Sequence, residues 1–141
     1  MKYVLDSCVA VKWVLPEPDT PKAVRVRTEF RRGLHELVAP SVFPVEIGHA
    51  LAKAERMGVI QRPLGTRRLA NVLHTLPALH AYLPLLPRAF QIASAARHGV
   101  FDCLYVALAE REGCELLTSD AKLVGKLHAD FPFITSLASL P

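Results

Sequence analysis

The sequence predicts an α/β domain with a mainly parallel central sheet, and three observations support this fold class. Short apolar runs alternate along the chain with longer amphipathic segments, the pattern of strands connected by helices. The 141 residues suit one domain, and hydrophobic residues make up 51% of them, enough for a buried core. No repeat or low-complexity stretch divides the chain. We therefore expect a single domain over residues 1–141.

The predicted strands are short apolar runs bounded by polar or turn-forming residues. The first, Lys2–Leu5, ends at Asp6 and has the composition of a buried parallel strand. The run at 81–86 contains Pro84, which cannot donate to a neighbouring strand, so we expect it at the edge of the sheet. In order, the predicted strands are 2–5, 36–39, 81–86, 115–118 and 133–135.

Proline and glycine mark the ends of the predicted helices. Asp19-Thr20-Pro21 has a capping residue followed by a first-turn proline, and Gly33 ends the helix that begins there. The proline-rich stretch 76–87 is too apolar for a linker and is expected to be a loop within the domain. In order, the predicted helices are 7–15, 19–32, 40–57, 62–75, 88–97, 101–111 and 121–127.

Composition restricts the compartment and the partners. Three cysteines cannot form a disulfide framework, and their spacing does not fit a zinc ribbon, so a reducing, cytoplasmic location is expected. Asp6 and Lys12 interrupt what would be the core of a signal peptide. No run approaches the roughly 18 apolar residues of a membrane span. The net charge of +4 is compatible with a polyanionic partner without requiring one.

Four acidic residues are expected at one edge of the sheet. Asp6 directly follows the first strand, and Asp120 lies two residues beyond the strand at 115–118. Both project from the carboxyl edge of a parallel sheet, where ligands bind, if these two strands are neighbours. Glu46 lies about two turns into the helix after the second strand, and Asp102 lies at the start of a helix. All four can therefore reach the same edge.

A cluster of carboxylates requires compensation of its charge by protons or cations. Clusters rich in carboxylates and poor in imidazoles suit hard cations such as Mg²⁺ or Mn²⁺. Such ions lower the pKa of a bound water and bind the oxygens of a phosphodiester. The four acids thus favour a metal-dependent phosphodiesterase.

Each acid also has a purely structural interpretation. Asp102 and Asp120 could cap the helices at whose starts they lie. Asp6 could be a turn residue, and Glu46 could be a solvated residue on a half-exposed helix face. Taken one by one the acids are weak signals, and only their convergence on one edge supports catalysis.

Four blocks of the sequence resemble the PIN-domain ribonucleases, specifically the VapC-type toxins of bacterial and archaeal toxin–antitoxin pairs. They occur in the order of that family and span nearly the whole chain. The blocks are YVLDSCVAVKW at 3–13, PSVFPVEIGHAL at 40–51, FDCLYVALA at 101–109 and LLTSDAKL at 116–123.

This resemblance implies a single PIN-like α/β/α domain and an endoribonuclease that uses Mg²⁺ or Mn²⁺ to activate water against RNA phosphodiester bonds. It also implies a cognate antitoxin and a homodimer. Matched block to block, the acidic quartet of the family falls on Asp6, Glu46, Asp102 and Asp120, as metal ligands and catalytic residues. Many relatives have a hydroxyl residue shortly before the third acid, where this chain has the run HGVF at 98–101.

Several further residues have a functional and a structural interpretation. Ser7 and Thr118 could steady a carboxylate or a bound water, or bond to the backbone of a turn. A surface or loop role is expected for His98. For Trp13 and Phe43, packing in the core or in a dimer is favoured over stacking on bases. The basic residues that could follow phosphates, or simply be solvated, are Arg25, Arg27, Arg31, Arg32, Lys53, Arg56, Arg62, Arg67 and Arg68.

Two other function classes remain open from the residues. A phospho-receiver domain also places acids at the carboxyl edge of its sheet, but it has an acid pair after the first strand and a lysine after the last. Here one acid follows the first strand, and residues 133–135 offer no lysine. A non-catalytic binding module, in which the acids are structural, is the third possibility, and Mn²⁺ titration would separate it from the others.

Overall fold

A five-stranded parallel sheet forms the centre of the protein. The computed structural model describes residues 1–141. The strands lie in the spatial order β3-β2-β1-β4-β5, and every neighbouring pair is parallel. Val4 and Leu5 are adjacent in the central strand and fully buried, so both faces of the sheet are covered. The strands are β1 (Lys2–Leu5), β2 (Glu36–Pro40), β3 (Ala78–His80), β4 (Glu115–Thr118) and β5 (Ile134–Ser136).

Seven α-helices connect and cover the strands. None of them has both the length and the apolar character needed to cross a membrane. Gly33 and Gly113 follow two of the helices with positive φ angles of 74° and 64°, which explains why glycine ends these helices. The helices are α1 (Ser7–Val11), α2 (Thr20–Arg31), α3 (Phe43–Arg56), α4 (Leu64–Leu73), α5 (Leu86–Ala96), α6 (Val100–Glu112) and α7 (Ala121–Leu127).

Helix α6 is the most deeply buried helix. Every residue from 103 to 109 is buried, and the helix packs against α5, β1 and β2. Tyr105 is the largest fully buried side chain of the protein, followed by Phe43 of α3. This packing fixes the first turn of α6, which carries Asp102, relative to the sheet.

The predicted strand at 81–86 is wrong. The third strand is instead Ala78–His80, which pairs with Val38–Pro40, and Leu83–Leu85 forms a 3₁₀ turn. Proline fixes φ near −65°, which suits this turn, and Pro84 lies inside it. The third strand does lie at an edge of the sheet, but Pro84, from which the edge position was inferred, is not part of it. The stretch 76–87 is accordingly not only a loop.

The other predicted elements are confirmed, with shifted ends. The helix predicted at 7–15 ends at Val11, and a turn continues to Leu15. Strands β1 and β4 are neighbours, as the placement of Asp6 and Asp120 at one edge required. The predicted α/β class with a parallel sheet is therefore confirmed, and the candidate site can be located at the carboxyl ends of β1 and β4.

Candidate functional site

The candidate site begins where β1 and β4 end. Asp6 is the first residue after β1, and its N–H donates to the carbonyl of Leu117 in β4 over 3.0 Å. Thr118 is the last residue of β4 and is fully buried. Because neighbouring parallel strands end at the same edge of a sheet, these two side chains lie side by side there.

The carboxyl group of Asp6 is buried and bonded to hydroxyl groups. Asp6 is only 4% exposed, and the Thr118 hydroxyl donates to its Oδ2 over 2.8 Å. The Ser7 hydroxyl lies 3.5 Å from Oδ1. The pKa of Asp6 is raised to about 6, chiefly by burial and also by the negative charge of Asp102, whereas the hydrogen bond from Thr118 opposes the rise. Asp6 is thus a buried carboxyl group whose ionised form is disfavoured, and not an ordinary turn residue.

Glu46 lies in the first turn of α3 and is held by a tyrosine. The Tyr105 hydroxyl donates to Oε1 of Glu46 over 2.5 Å, and the Ser7 hydroxyl lies 3.5 Å from the same oxygen. Burial raises the pKa of Glu46 to about 7, against the lowering effect of the Tyr105 bond, and the charges of Asp6 and Asp102 add to the rise. The interpretation of Glu46 as a solvated surface residue is therefore wrong.

Asp102 lies in the first turn of α6 and does not cap it. The N-cap position is Gly99, and no side chain bonds there. Instead, Oδ2 of Asp102 lies 2.7 Å from Nε2 of His98, whose side chain is only 6% exposed. The cap interpretation of Asp102 is therefore wrong. His98 lies in the loop between α5 and α6, as one of its two expected roles required, but its side chain is buried rather than on the surface.

Asp120 is the one acid whose structural interpretation is confirmed. Its Oδ1 accepts from the backbone N–H groups of Lys122 and Leu123, which caps the N-terminus of α7. Its own N–H donates to the Thr118 hydroxyl over 3.0 Å, so Thr118 links Asp120 to Asp6. Both cap bonds use Oδ1, which leaves Oδ2 for another ligand.

The structure places three of the four predicted residues near enough for charge to matter, because the charge of Asp102 raises the pKa of Asp6 and the charges of Asp6 and Asp102 raise that of Glu46. In the side-chain arrangement described here, no three His, Cys, Asp or Glu side chains are close enough together to hold a metal ion. The chemistry of the donors nevertheless fits a hard divalent cation, because all three are carboxylates and two of them have pKa values raised toward neutrality. The metal-binding role of the quartet stays a prediction.

Sequence reasoning identified Thr118 and Ser7 but missed the role of Tyr105. Thr118 donates to Asp6, and Ser7 lies between Asp6 and Glu46. Tyr105 lies within an apolar run of its helix and is fully buried. A buried tyrosine normally needs a partner for its hydroxyl, and that requirement was the available signal.

The basic and aromatic candidates divide into buried and exposed groups. Arg27 is buried, donates to Asn71 and Thr75, and lies over the ring of Trp13 at 4.7 Å, so it connects α2 to α4 rather than facing solvent. Trp13 and Phe43 are core residues, as favoured from the sequence. Arg25 and Arg31 remain exposed on α2.

An apolar groove lies on the side of the site formed by α5 and the 3₁₀ turn before it. The groove has a volume of about 730 Å³, and its lining includes His98. Phe90 and Leu83 in this lining are 63% and 66% exposed. Phe101, next to the lining residue Val100, is 56% exposed. The groove and its border therefore carry several large apolar side chains that are more than half exposed, beside the helix that contains Asp102.

Sequence comparison finds similarity over nearly the whole chain. The model of the PIN domain family matches residues 3–125. Ribonuclease VapC3 of Pyrobaculum aerophilum is 33% identical over 133 residues, which cover 92% of this chain and 97% of that protein. Ribonuclease VapC12 of Mycobacterium tuberculosis is 36% identical over 122 residues, covering 85% of this chain and 88% of that protein.

Solved structures with the same fold include two at low sequence identity. The crystal structure of PAE2754 from Pyrobaculum aerophilum aligns with a TM-score of 0.72 at 21% identity, covering 99% of this chain and 85% of that one. VapBC2 from Rickettsia felis, bound to a DNA fragment from its promoter, aligns with a TM-score of 0.66 at 14% identity, covering 96% and 97%. At these identities the likeness establishes the fold alone.

The buried charge of Asp6 generates a prediction about stability. The pKa of Asp6 in the folded protein is about 6, above the ordinary value of 3.8. Ionisation of Asp6 therefore lowers the free energy of unfolding, and this effect reaches its full size above pH 6 and is nearly absent below pH 3.8. We expect Asp6→Asn to raise the free energy of unfolding of the metal-free protein by about 2–3 kcal/mol near pH 8, and by well under 1 kcal/mol near pH 4. Urea unfolding in EDTA measures both values.

The matched control is Asp130→Asn, which removes an exposed carboxyl group. It should leave stability within about 0.5 kcal/mol of wild type at both pH values. Equal stability of wild type and Asp6→Asn near pH 8 would show that the Asp6 carboxylate bears no ionisation cost in the folded protein.

Proposed function

Because the chain belongs to the PIN-domain family, among its VapC ribonucleases, we propose that it is a metal-dependent endoribonuclease toxin that hydrolyses RNA phosphodiester bonds. The observation that carries this proposal is the group of Asp6, Glu46 and Asp102 at the carboxyl edge of the sheet. The charge of Asp102 raises the pKa of both Asp6 and Glu46, and the charge of Asp6 raises that of Glu46. Because the chain belongs to the PIN-domain family, the alternative of a phospho-receiver domain is excluded. The non-catalytic alternative is tested by the cleavage experiment below.

The proposed cofactor is Mg²⁺ or Mn²⁺, held by Asp6, Glu46 and Asp102, with Asp120 contributing its remaining oxygen. When bound, such an ion supplies a Lewis acid that activates water and neutralises charge on the phosphodiester. Carboxylate oxygens are the donors that these ions prefer. Two of the carboxyl groups have pKa values of about 6 and about 7, so the ion competes with protons for them, and its affinity falls as the pH decreases.

The protein's own donors orient the proposed ligands. The Thr118 hydroxyl fixes Oδ2 of Asp6, and the Tyr105 hydroxyl fixes Oε1 of Glu46. Both donors are fully buried, so their positions are set by packing of the core. Holding carboxylates in place before the cation arrives reduces the entropy lost on binding.

The proposed partners are RNA, a cognate antitoxin and a second copy of the chain, and the proposed location is the cytoplasm. The exposed Arg25 and Arg31 supply positive charge for the RNA backbone. We take the domain to extend over residues 1–141. The family model ends at residue 125, but β5 pairs with β4, and Leu137 is fully buried.

The apolar groove lined by Leu83 and Phe90 is the proposed contact between two copies. A two-fold contact places the same exposed side chains of each copy against the other and removes all of them from water together. Residues 10–15 are less favoured for this contact, because all of them except the partly exposed Lys12 are buried within the chain itself. The mean hydropathy of +0.25 is consistent with a covered apolar face.

Cleavage of RNA by purified protein tests the proposed activity. We expect Asp6→Asn and Glu46→Gln each to reduce the cleavage rate in Mn²⁺ by more than about 100-fold. Loss of a residue that only orients a metal ligand typically reduces activity about 10–100-fold, and loss of the ligand itself should cost more. Asp130→Asn, which removes an exposed acid, should cleave like wild type. Cleavage should stop in EDTA.

Two outcomes would contradict the proposal. Metal-independent cleavage by the wild-type protein would exclude the cation. Cleavage by Asp6→Asn and Glu46→Gln within a few-fold of wild type would exclude the acids as ligands, and with them the proposed site.

The dimer is tested by light scattering. The wild-type protein should have twice the chain mass of 15.5 kDa, and Phe90→Glu should shift it to a monomer, because the introduced charge would be buried without a partner. Val59→Glu replaces a side chain of similar exposure, 65%, away from the groove and should remain dimeric. A monomeric wild-type protein at micromolar concentration would refute the proposed contact.

A further inference from the structure

We propose that His98 is a positioning residue that holds Asp102 in the orientation needed to bind the divalent cation. This inference rests on the proposed function, because it assigns a role to Asp102 as a metal ligand. Nε2 of His98 lies 2.7 Å from Oδ2 of Asp102. A carboxylate only accepts hydrogen bonds, so Nε2 carries the proton and donates it to Asp102.

The backbone around His98 fixes its ring before any ligand arrives. Helix α5 ends at Ala96, and Arg97 after it adopts a left-handed conformation with φ of 53°. The N–H of His98 then donates to the carbonyl of Ala93 over 3.1 Å, and Gly99 is the N-cap of α6. His98 is therefore held between the ends of two helices that pack against each other, and its ring has little freedom to move away from Asp102.

The surroundings of the ring make Asp102 its one polar partner. The His98 side chain is 6% exposed and lines the apolar groove. Ala93 and Val100 line the same groove. A buried imidazole in such surroundings requires a hydrogen bond, and Asp102 supplies it. The Asp102 side chain itself is 32% exposed, so it can still meet a ligand from the solvent side.

The arrangement assigns different tasks to the two oxygens of Asp102. Oδ2 is occupied by His98, whereas Oδ1 has no protein partner and remains for the cation. The other acids have donors of the same kind, Thr118 for Asp6 and Tyr105 for Glu46. Partners that orient a metal ligand typically contribute about 10–100-fold to metal affinity or activity.

The test is Mn²⁺ binding, followed by the loss of the free-ion electron paramagnetic resonance signal at one fixed pH. His98→Phe keeps a ring of similar size and removes the donor, whereas His98→Gln restores an N–H near the position of Nε2. We expect His98→Phe to weaken Mn²⁺ binding about 10-fold or more, and His98→Gln to remain within about threefold of wild type. The exposed His74 provides the matched control, His74→Phe, which should not change binding.

A double-mutant cycle shows whether His98 acts through Asp102. In an Asp102→Ala background, His98→Phe should weaken Mn²⁺ binding no further, because alanine has no acceptor for His98 to orient. An equal loss in both backgrounds would overturn the assignment. Thermal unfolding of each variant shows whether weaker Mn²⁺ binding comes from a general loss of structure. Such a loss would weaken Mn²⁺ binding in His98→Gln as well as in His98→Phe.

The outcomes separate this inference from the proposed function. Wild-type Mn²⁺ binding with unchanged affinity in His98→Phe would overturn the role of His98 and leave the metal site intact. No Mn²⁺ binding by the wild-type protein would overturn both.

Discussion

Negative charge buried at the carboxyl ends of β1 and β4 is the constraint on which the rest of the site depends. Asp6 is almost fully removed from water, and Glu46 and Asp102 add like charges to its surroundings. Burying such anions destabilises a protein unless they find donors or counter-ions. Each acid has a protein donor. In the order of the acids along the chain, these donors are Thr118, Tyr105, His98 and the backbone of α7.

These donors stabilise the carboxylates only in part. The pKa values of Asp6 and Glu46 remain raised although each accepts a hydroxyl bond, so the metal-free protein retains an electrostatic cost near neutral pH. A divalent cation would remove this cost and gain affinity from ligands already held in place. The same repulsion that lowers the stability of the fold therefore favours the cofactor, a trade between stability and function that is common at active sites.

The sequence was sufficient to predict the fold class and the strand ends from which the acids project, because strand ends follow directly from the alternation of apolar runs with helices. That β1 and β4 are neighbours was only a condition of the predicted site, and the structure supplied it. The third strand was misplaced since Pro84 and its apolar neighbours resemble an edge strand as closely as a turn. The Tyr105–Glu46 bond joins residues 59 positions apart, and no local pattern reveals it. The His98–Asp102 bond depends on a left-handed arginine at the end of α5, a conformation that sequence seldom signals outside glycine.

Anomalous diffraction from crystals grown with Mn²⁺ is the most direct test of the central claim, that buried carboxylates at this edge of the sheet hold a divalent cation. The account predicts the strongest manganese peak between the carboxylates of Asp6, Glu46 and Asp102, within about 2.0–2.5 Å of their oxygens. A strongest manganese peak elsewhere on the molecule, with these three carboxylates left without metal, would contradict it.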